Sequence, residues 1–180
     1  ARVNGTFGRD LKVYFQIAYK SSDDDAGAEN SVSWRFYRQE SLGSRLHVEH
    51  NISRCCRIQH RMAWSKVIAE SHAAGFLYYL DLRLHNLRYP LTLSMRYTYF
   101  ETDDFGSRIY SYESNVLYSF SVPAYYGKGS SCYLYFAWKP IRKLTLYGRI
   151  STTLNQQAYV DEIQEKGFRP AYSLQFRLSL

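Results

Sequence analysis

A chain of 180 residues is one domain by length. Its mean hydropathy is −0.42, and no run nears the roughly 18 apolar residues of a transmembrane helix; a helical membrane protein is excluded, a barrel with every second residue facing lipid is not. The net charge of +7 leaves three readings, a basic lumen, arginines near lipid phosphates or a nucleic-acid surface, and the spread of the arginines along the chain disfavours the last.

Residues 1–10 hold at most the remnant of a strand. From there the chain alternates. Leu11, Val13, Phe15, Ile17 and Tyr19 fall on one face, with Lys12, Tyr14, Gln16, Ala18 and Lys20 on the other. A period of two predicts a strand, because successive side chains point to opposite sides of a sheet. The acidic stretch Asp23, Asp24, Asp25 with Gly27 predicts a loop. Val32, Trp34 and Phe36 then lie on the apolar side of the next strand, backed by Ser33, Arg35 and Tyr37.

A hairpin turning at residues 53–57 follows. Pairing Ser53 with Arg57 sets Leu46 against Trp64, Val48 against Met62 and Ile52 against Ile58, with Glu49 opposite Arg61 on the polar side. Phe76, Tyr78, Leu80, Leu82 and Leu84 form the next apolar face, backed by Tyr79, Asp81, Arg83 and His85. A turn near residues 86–90 leads to Leu91, Leu93, Met95, Tyr97 and Tyr99, backed by Thr92, Ser94, Arg96 and Thr98. Pairing Leu84 with Leu91 places Asp81 opposite Ser94 and diagonal to Arg96.

Asp103, Asp104 and Gly106 mark another loop. Residues 108–113 and 115–122 read as a weaker hairpin, ended by Pro123, Gly127 and Gly129. Cys132, Leu134, Phe136 and Trp138 face Leu144, Leu146, Gly148 and Ile150 across a turn at 140–142, and Tyr133 meets Arg149 as a cation–π pair. A polar loop over about residues 152–169 precedes the last strand. There Tyr172, Leu174, Phe176, Leu178 and Leu180 alternate with Ser173, Gln175, Arg177 and Ser179. A strand that runs to the final residue with its apolar face intact is a common ending of outer-membrane barrels.

About eleven strands and no helix predict an all-β protein: an antiparallel transmembrane β-barrel of 10–12 strands, or the C-terminal part of a larger one. The 18 Tyr and 3 Trp, 17% aromatic residues with Phe, suit interfacial girdles, since each ring is apolar with a polar tip. Tyr19, Trp64, Tyr99, Trp138 and Tyr172 stand toward strand ends. A soluble sheet also has one apolar face, but large residues on that face in nearly every strand favour the membrane. Bacterial single-chain barrels have an even strand number, so an odd count points to a missed strand or an incomplete chain. The start at Ala1, with neither Met nor a signal peptide, fits a mature product or the C-terminal piece of a longer protein.

Two stretches carry a resemblance. One is TDDFGSRIYSYESNVLYSFSVPAYYGKG at residues 102–129, followed by KPIRKLTLYGRI at 139–150; the other is GFLYYLDLRL at 75–84. Together they resemble the C-terminal region of outer-membrane proteins that carry helix-hairpin-helix repeats near their N-terminus, over residues 46–180. The resemblance implies a barrel, a Gram-negative outer-membrane address and a chain lacking its N-terminal half. It implies no substrate. The helix-hairpin-helix part of that family is compared with DNA-uptake proteins; this chain has no such pattern, so nucleic-acid binding is carried to none of its residues.

The residues expected to line the polar interior are Lys12, Arg35, Glu49, Arg61, Asp81, Arg83, Arg96, Arg149 and Arg177. Two readings stay open: a permeation path with an ion preference, or a salt-bridged plug that fills a narrow barrel. An open lumen would be basic and anion-preferring. His50 and His60 come opposite each other in the hairpin, yet on the apolar face and without a third ligand. Asp23–Asp25 and Asp103–Asp104 lack the spacing of a calcium loop. His72 with Asp103, Asp104 and Asp161 could meet as a rim hydrolase, but nothing in their spacing demands it. Cys55, Cys56 and Cys132 suggest neither a disulfide framework nor a zinc site. No catalytic residue, metal or cofactor is therefore expected. The leading expectation is an integral outer-membrane, porin-like channel or scaffold touching lipid and lipopolysaccharide, with outer-membrane or periplasmic proteins as partners; the alternative is a membrane-anchored binding module.

Overall fold

The computed structural model describes residues 1–26, 35–68, 72–85, 89–155 and 168–178, with side chains described for 1–21, 40–68, 72–85, 89–155 and 170–178. The expected apolar positions Val32, Trp34 and Leu180, and Asp161, lie outside these residues. Every described element is a strand. In chain order they are β1 (Arg2–Phe7), β2 (Leu11–Ala26), β3 (Arg35–Asn51), β4 (Cys56–Ile68), β5 (His72–Leu84), β6 (Leu91–Thr102), β7 (Ile109–Tyr110), β8 (Ala124–Tyr125), β9 (Lys128–Ile141), β10 (Leu144–Asn155) and β11 (Phe168–Leu178).

Nine of them form one antiparallel meander, β1-β2-β3-β4-β5-β6-β9-β10-β11. β7 and β8 pair only with each other, so β6 pairs directly with β9. The remnant expected at residues 1–10 is a paired strand, Val3 lying opposite Phe15. Among the described residues β1 and β11 are the two edges, and the sheet is not closed into a barrel. Because each neighbour reverses direction, the first and ninth strands run the same way, and an all-antiparallel closure between them is impossible.

The faces follow the alternation, and most of the large apolar side chains of the sheet stand on the exposed one. Phe15, Met62, Leu80, Met95, Leu134 and Ile150 are exposed, and on the edge strand Leu174 and Phe176 reach 78% and 71%. The opposite face holds the buried residues, both apolar (Leu77 at 0%, with Ala63, Phe100, Tyr79 and Tyr133) and polar (Asp81 at 1% and Ser94 at 0%, with His47, Arg96, Thr98 and Ser131). The apolar faces are also not level across the sheet. Phe15, at the middle of β2's apolar run, is level through successive partners with Leu46, Met62, Tyr78, Tyr99 and Ser130. In β9 that row is already polar; its apolar run is Cys132 to Trp138, centred near Tyr135.

Three hairpins differ in register from the sequence reading, each by two residues. Leu46 pairs with Met62, Val48 with His60 and Glu49 with Gln59, so Arg61 lies opposite His47 and His50 opposite Ile58. Mutual backbone bonds between Ser53 and Cys56 make this turn tighter than residues 53–57. Asp81 pairs directly with Arg96, not with Ser94. Tyr133 lies opposite Ser151, and Arg149 opposite Tyr135. A two-residue slip returns every side chain to its own face, so alternation cannot detect it.

Gly148 shows how the apolar face is packed. It lies opposite Phe136, and a Cβ there would stand 2.3 Å from that ring. The ring covers the bare backbone. Gly148→Val is expected to displace it and lower unfolding stability by about 1–3 kcal/mol, the usual cost of overpacking, measured by urea titration in micelles; an unchanged midpoint would mean the ring is free to move.

Candidate functional site

The polar face is closed over by the connection between β6 and β9. Residues 103–127 leave the sheet and fold back on it, joined internally by the β7–β8 pair and a Glu113–Ser121 bridge. The hairpin expected at 108–113 and 115–122 is here in a different form: its strands are only Ile109–Tyr110 and, beyond Pro123, Ala124–Tyr125, they pair away from the main sheet, and residues 116–118 bend and turn between them. Gly75 permits the close approach: a Cβ there would lie 2.5 Å from the Ser107 carbonyl oxygen. Asp103 accepts the Ala74 N–H at 2.8 Å and Asp104 accepts the Ser107 N–H at 2.8 Å. Both acids are therefore engaged in positioning the turn.

At the centre, Asp81 accepts from Arg96 Nη2 at 2.8 Å, Arg96 Nε at 2.9 Å and the Tyr133 hydroxyl at 3.1 Å. The Arg96 guanidinium lies 3.9 Å from the Tyr79 ring centre and 5.4 Å from that of Tyr133. This is a desolvated ion pair walled by aromatic faces, where charge-assisted bonds are strongest and lone charges most costly. Arg96 also donates from Nη1 to the Tyr112 carbonyl of the inserted segment at 2.5 Å.

Further bonds hold the insertion. Arg83 donates to the Ser114 hydroxyl at 3.1 Å, and the Ser114 N–H donates to the Tyr133 hydroxyl at 3.3 Å. Glu113 is buried and accepts from Arg149 and from the Tyr125 hydroxyl. Tyr125 packs its ring 5.0 Å from that of Phe100. Burial, and after it the Glu113 carboxylate, push the Tyr125 phenol above its ordinary range. The Arg149 guanidinium lies 5.2 Å from the Tyr133 ring centre, so the expected cation–π contact forms on the diagonal.

The other expected residues lie further out. Arg61 donates to the Tyr14 hydroxyl at 3.0 Å and to His47 Nδ1 at 3.4 Å, and Tyr14 stacks on His47. Glu49 does not meet Arg61. It accepts from Gln59 at 2.7 Å and is flanked by Arg57 at 3.7 Å and Lys12 at 3.8 Å. Arg177 is exposed on the edge strand, opposite Thr145. Arg35 belongs to β3, but its side chain lies outside the described residues, as do those of Asp23, Asp24 and Asp25.

His50 and His60 are not opposed. Both stand on the apolar face, and His60 Nδ1 is bonded to the Tyr78 hydroxyl at 2.9 Å. Among the described residues no three of His, Cys, Asp and Glu are grouped to hold a metal ion. His72 is exposed at the start of β5.

Beside the insertion lies a cavity of about 220 Å³, between the polar face of β2–β4 and residues 108–110. Its floor is small because Ala18, Gly43 and Ser65 share one row across three strands. Arg45 and Arg108 line it. Glu113, Tyr125 and Arg45 are absent from the lining expected from the sequence. Arg45 shares the period-two face of His47 and Glu49 and was legible; the first two sit where no alternation ties them to the sheet.

No protein-family model, curated protein or solved structure matches this chain.

Proposed function

We propose that the chain is an integral outer-membrane β-barrel protein, or the greater part of a barrel wall, whose polar interior is stoppered by residues 103–127. It acts as a membrane scaffold or a closed channel. The observation that carries this reading is the exposure of the two faces: apolar side chains outward on nearly every strand, and the buried Asp81–Arg96 and Glu113–Arg149 pairs within. Water would penalise such an arrangement, whereas hydrocarbon favours it.

The drift of the apolar runs agrees. Five strand steps span about 24 Å at ~4.8 Å each, while the run moves roughly five residues, ~17 Å. A level apolar band then needs strands inclined by about 35°, within the range of membrane barrels.

An all-antiparallel closure needs an odd number of further strands, antiparallel to both β1 and β11, of whatever origin. The insertion favours the same completion. Its Tyr118 and Phe120 are 84% and 87% exposed and would gain cover from a remaining wall.

The test uses Trp64 and Trp138, both on the apolar face. In a Trp34→Phe background reconstituted in vesicles, brominated acyl chains are expected to quench most of the fluorescence, and aqueous iodide little of it. The reverse pattern would sink the membrane reading. Gel mobility, boiled against unboiled, then addresses closure: a shift by the chain alone means that it closes unaided, and recovery only alongside another protein identifies the source of the missing strands.

A further inference from the structure

The geometry points to a small-oxyanion site in the cavity beneath residues 108–110, with Arg45 and Arg108 as its two anchors. The site depends on the insertion docking against the sheet and not on where the sheet resides, so it stands or falls separately from the membrane reading.

Charge is the first argument. Arg45 and Arg108 are both among the residues that line the cavity, and none of those residues is a carboxylate. Among the described residues, neither Arg45 nor Arg108 makes an ion pair. The Arg108 side chain donates to the Tyr110 hydroxyl at 2.7 Å and to the Phe105 carbonyl at 2.8 Å. Those bonds fix its plane while using only two of the five N–H donors of a guanidinium. Arg45 shares its face with further basic groups: Arg61 lies nearby on β4, bonded to His47. The acid on the same face, Glu49, is four residues along β3 and is already engaged by Gln59, Arg57 and Lys12. Two cationic residues beside one cavity, with no carboxylate in its lining, favour an anion there.

Size and lining set the class. A cavity of about 220 Å³, partly open to solvent, has room for a small oxyanion and its water. It suits phosphate, sulfate or a short carboxylate with a few waters. Two planar forks match oxyanion geometry, and Gln16, Ser65 and Tyr110 add polar groups to the wall.

The experiment is isothermal titration of the full chain, folded in an uncharged maltoside detergent, with inorganic phosphate. Saturable binding near one equivalent is expected, weakened at least tenfold in Arg45→Gln and in Arg108→Gln. Arg45→Lys should fall between, keeping the charge but losing the fork. Arg142→Gln, in the exposed turn after β9, should bind like the parent. Absence of saturable binding by the parent overturns the site, as does undiminished binding by Arg108→Gln. Each variant is first checked for the parent's circular dichroism. Arg108 lies outside the nine-stranded sheet, so its variant decides the matter if Arg45→Gln does not fold.

Discussion

Arg96→Met is expected to lower the stability of the folded sheet by about 3–5 kcal/mol, the usual cost of stranding one member of a buried ion pair. Asp81 is 1% exposed and takes both Arg96 bonds on one oxygen, shared with the Tyr133 hydroxyl. Without the guanidinium, one phenol is left to hold a desolvated carboxylate. The double variant Asp81→Leu with Arg96→Met should lose less than Arg96→Met alone, because apolar pairs of similar volume often replace buried ion pairs at little cost. Urea unfolding in micelles, followed by far-ultraviolet circular dichroism, gives both numbers. A loss under about 1 kcal/mol for Arg96→Met would mean that water reaches Asp81 and the polar face is open there.

Removing the stopper is expected to convert a silent protein into a conducting one. Replacing residues 107–126 by a short Gly–Ser linker deletes Glu113, Tyr125 and every bond from the insertion to Arg83, Arg96 and Arg149. Planar-bilayer current should rise by at least tenfold, with chloride preferred over potassium. The polar face would then carry Arg45, Arg61, Arg83, Arg96 and Arg149 against Glu49 and Asp81, and a basic lumen favours anions. Glu113→Ala alone should give a smaller, flickering increase, since Arg149 would lose its carboxylate partner while Ser114 still holds the segment. A truncated protein that keeps its boiled-to-unboiled mobility shift but passes no current would show that no continuous path exists behind the insertion.

The parent should also loosen at alkaline pH. The docked Tyr125 keeps its proton beyond the ordinary tyrosine value of 10.0. Undocked, it would lose that proton earlier. Its contribution to docking is therefore complete below about pH 10 and shrinks as pH rises further. Current that grows above pH 10 in the parent, but not in Tyr125→Phe, is the expected signature.

Alternation alone determined much of this protein: the all-β character, which residues share a face, and the grouping of Lys12, Glu49, Asp81, Arg83, Arg96 and Arg149 on one side; it did not show that β2 runs on through Asp23–Asp25, where a loop was expected. Those properties repeat every two residues, so they survive any two-residue slip. For that reason the sequence could not decide the registers, and it set Glu49 opposite Arg61 and Asp81 beside rather than opposite Arg96. A preference for direct opposite-charge pairs would have found the second register and missed the first, where Glu49 meets Gln59. Period alone does not say which face is covered, because a soluble sheet and a lipid-facing one alternate alike; the expectation of a polar interior rested on the size of the apolar residues instead. The folding of residues 103–127 over the polar face, which brings Glu113 to Arg149 and Arg108 toward Arg45, was decided by tertiary structure alone. Those contacts join residues far apart in the chain through side-chain bonds that carry no local period.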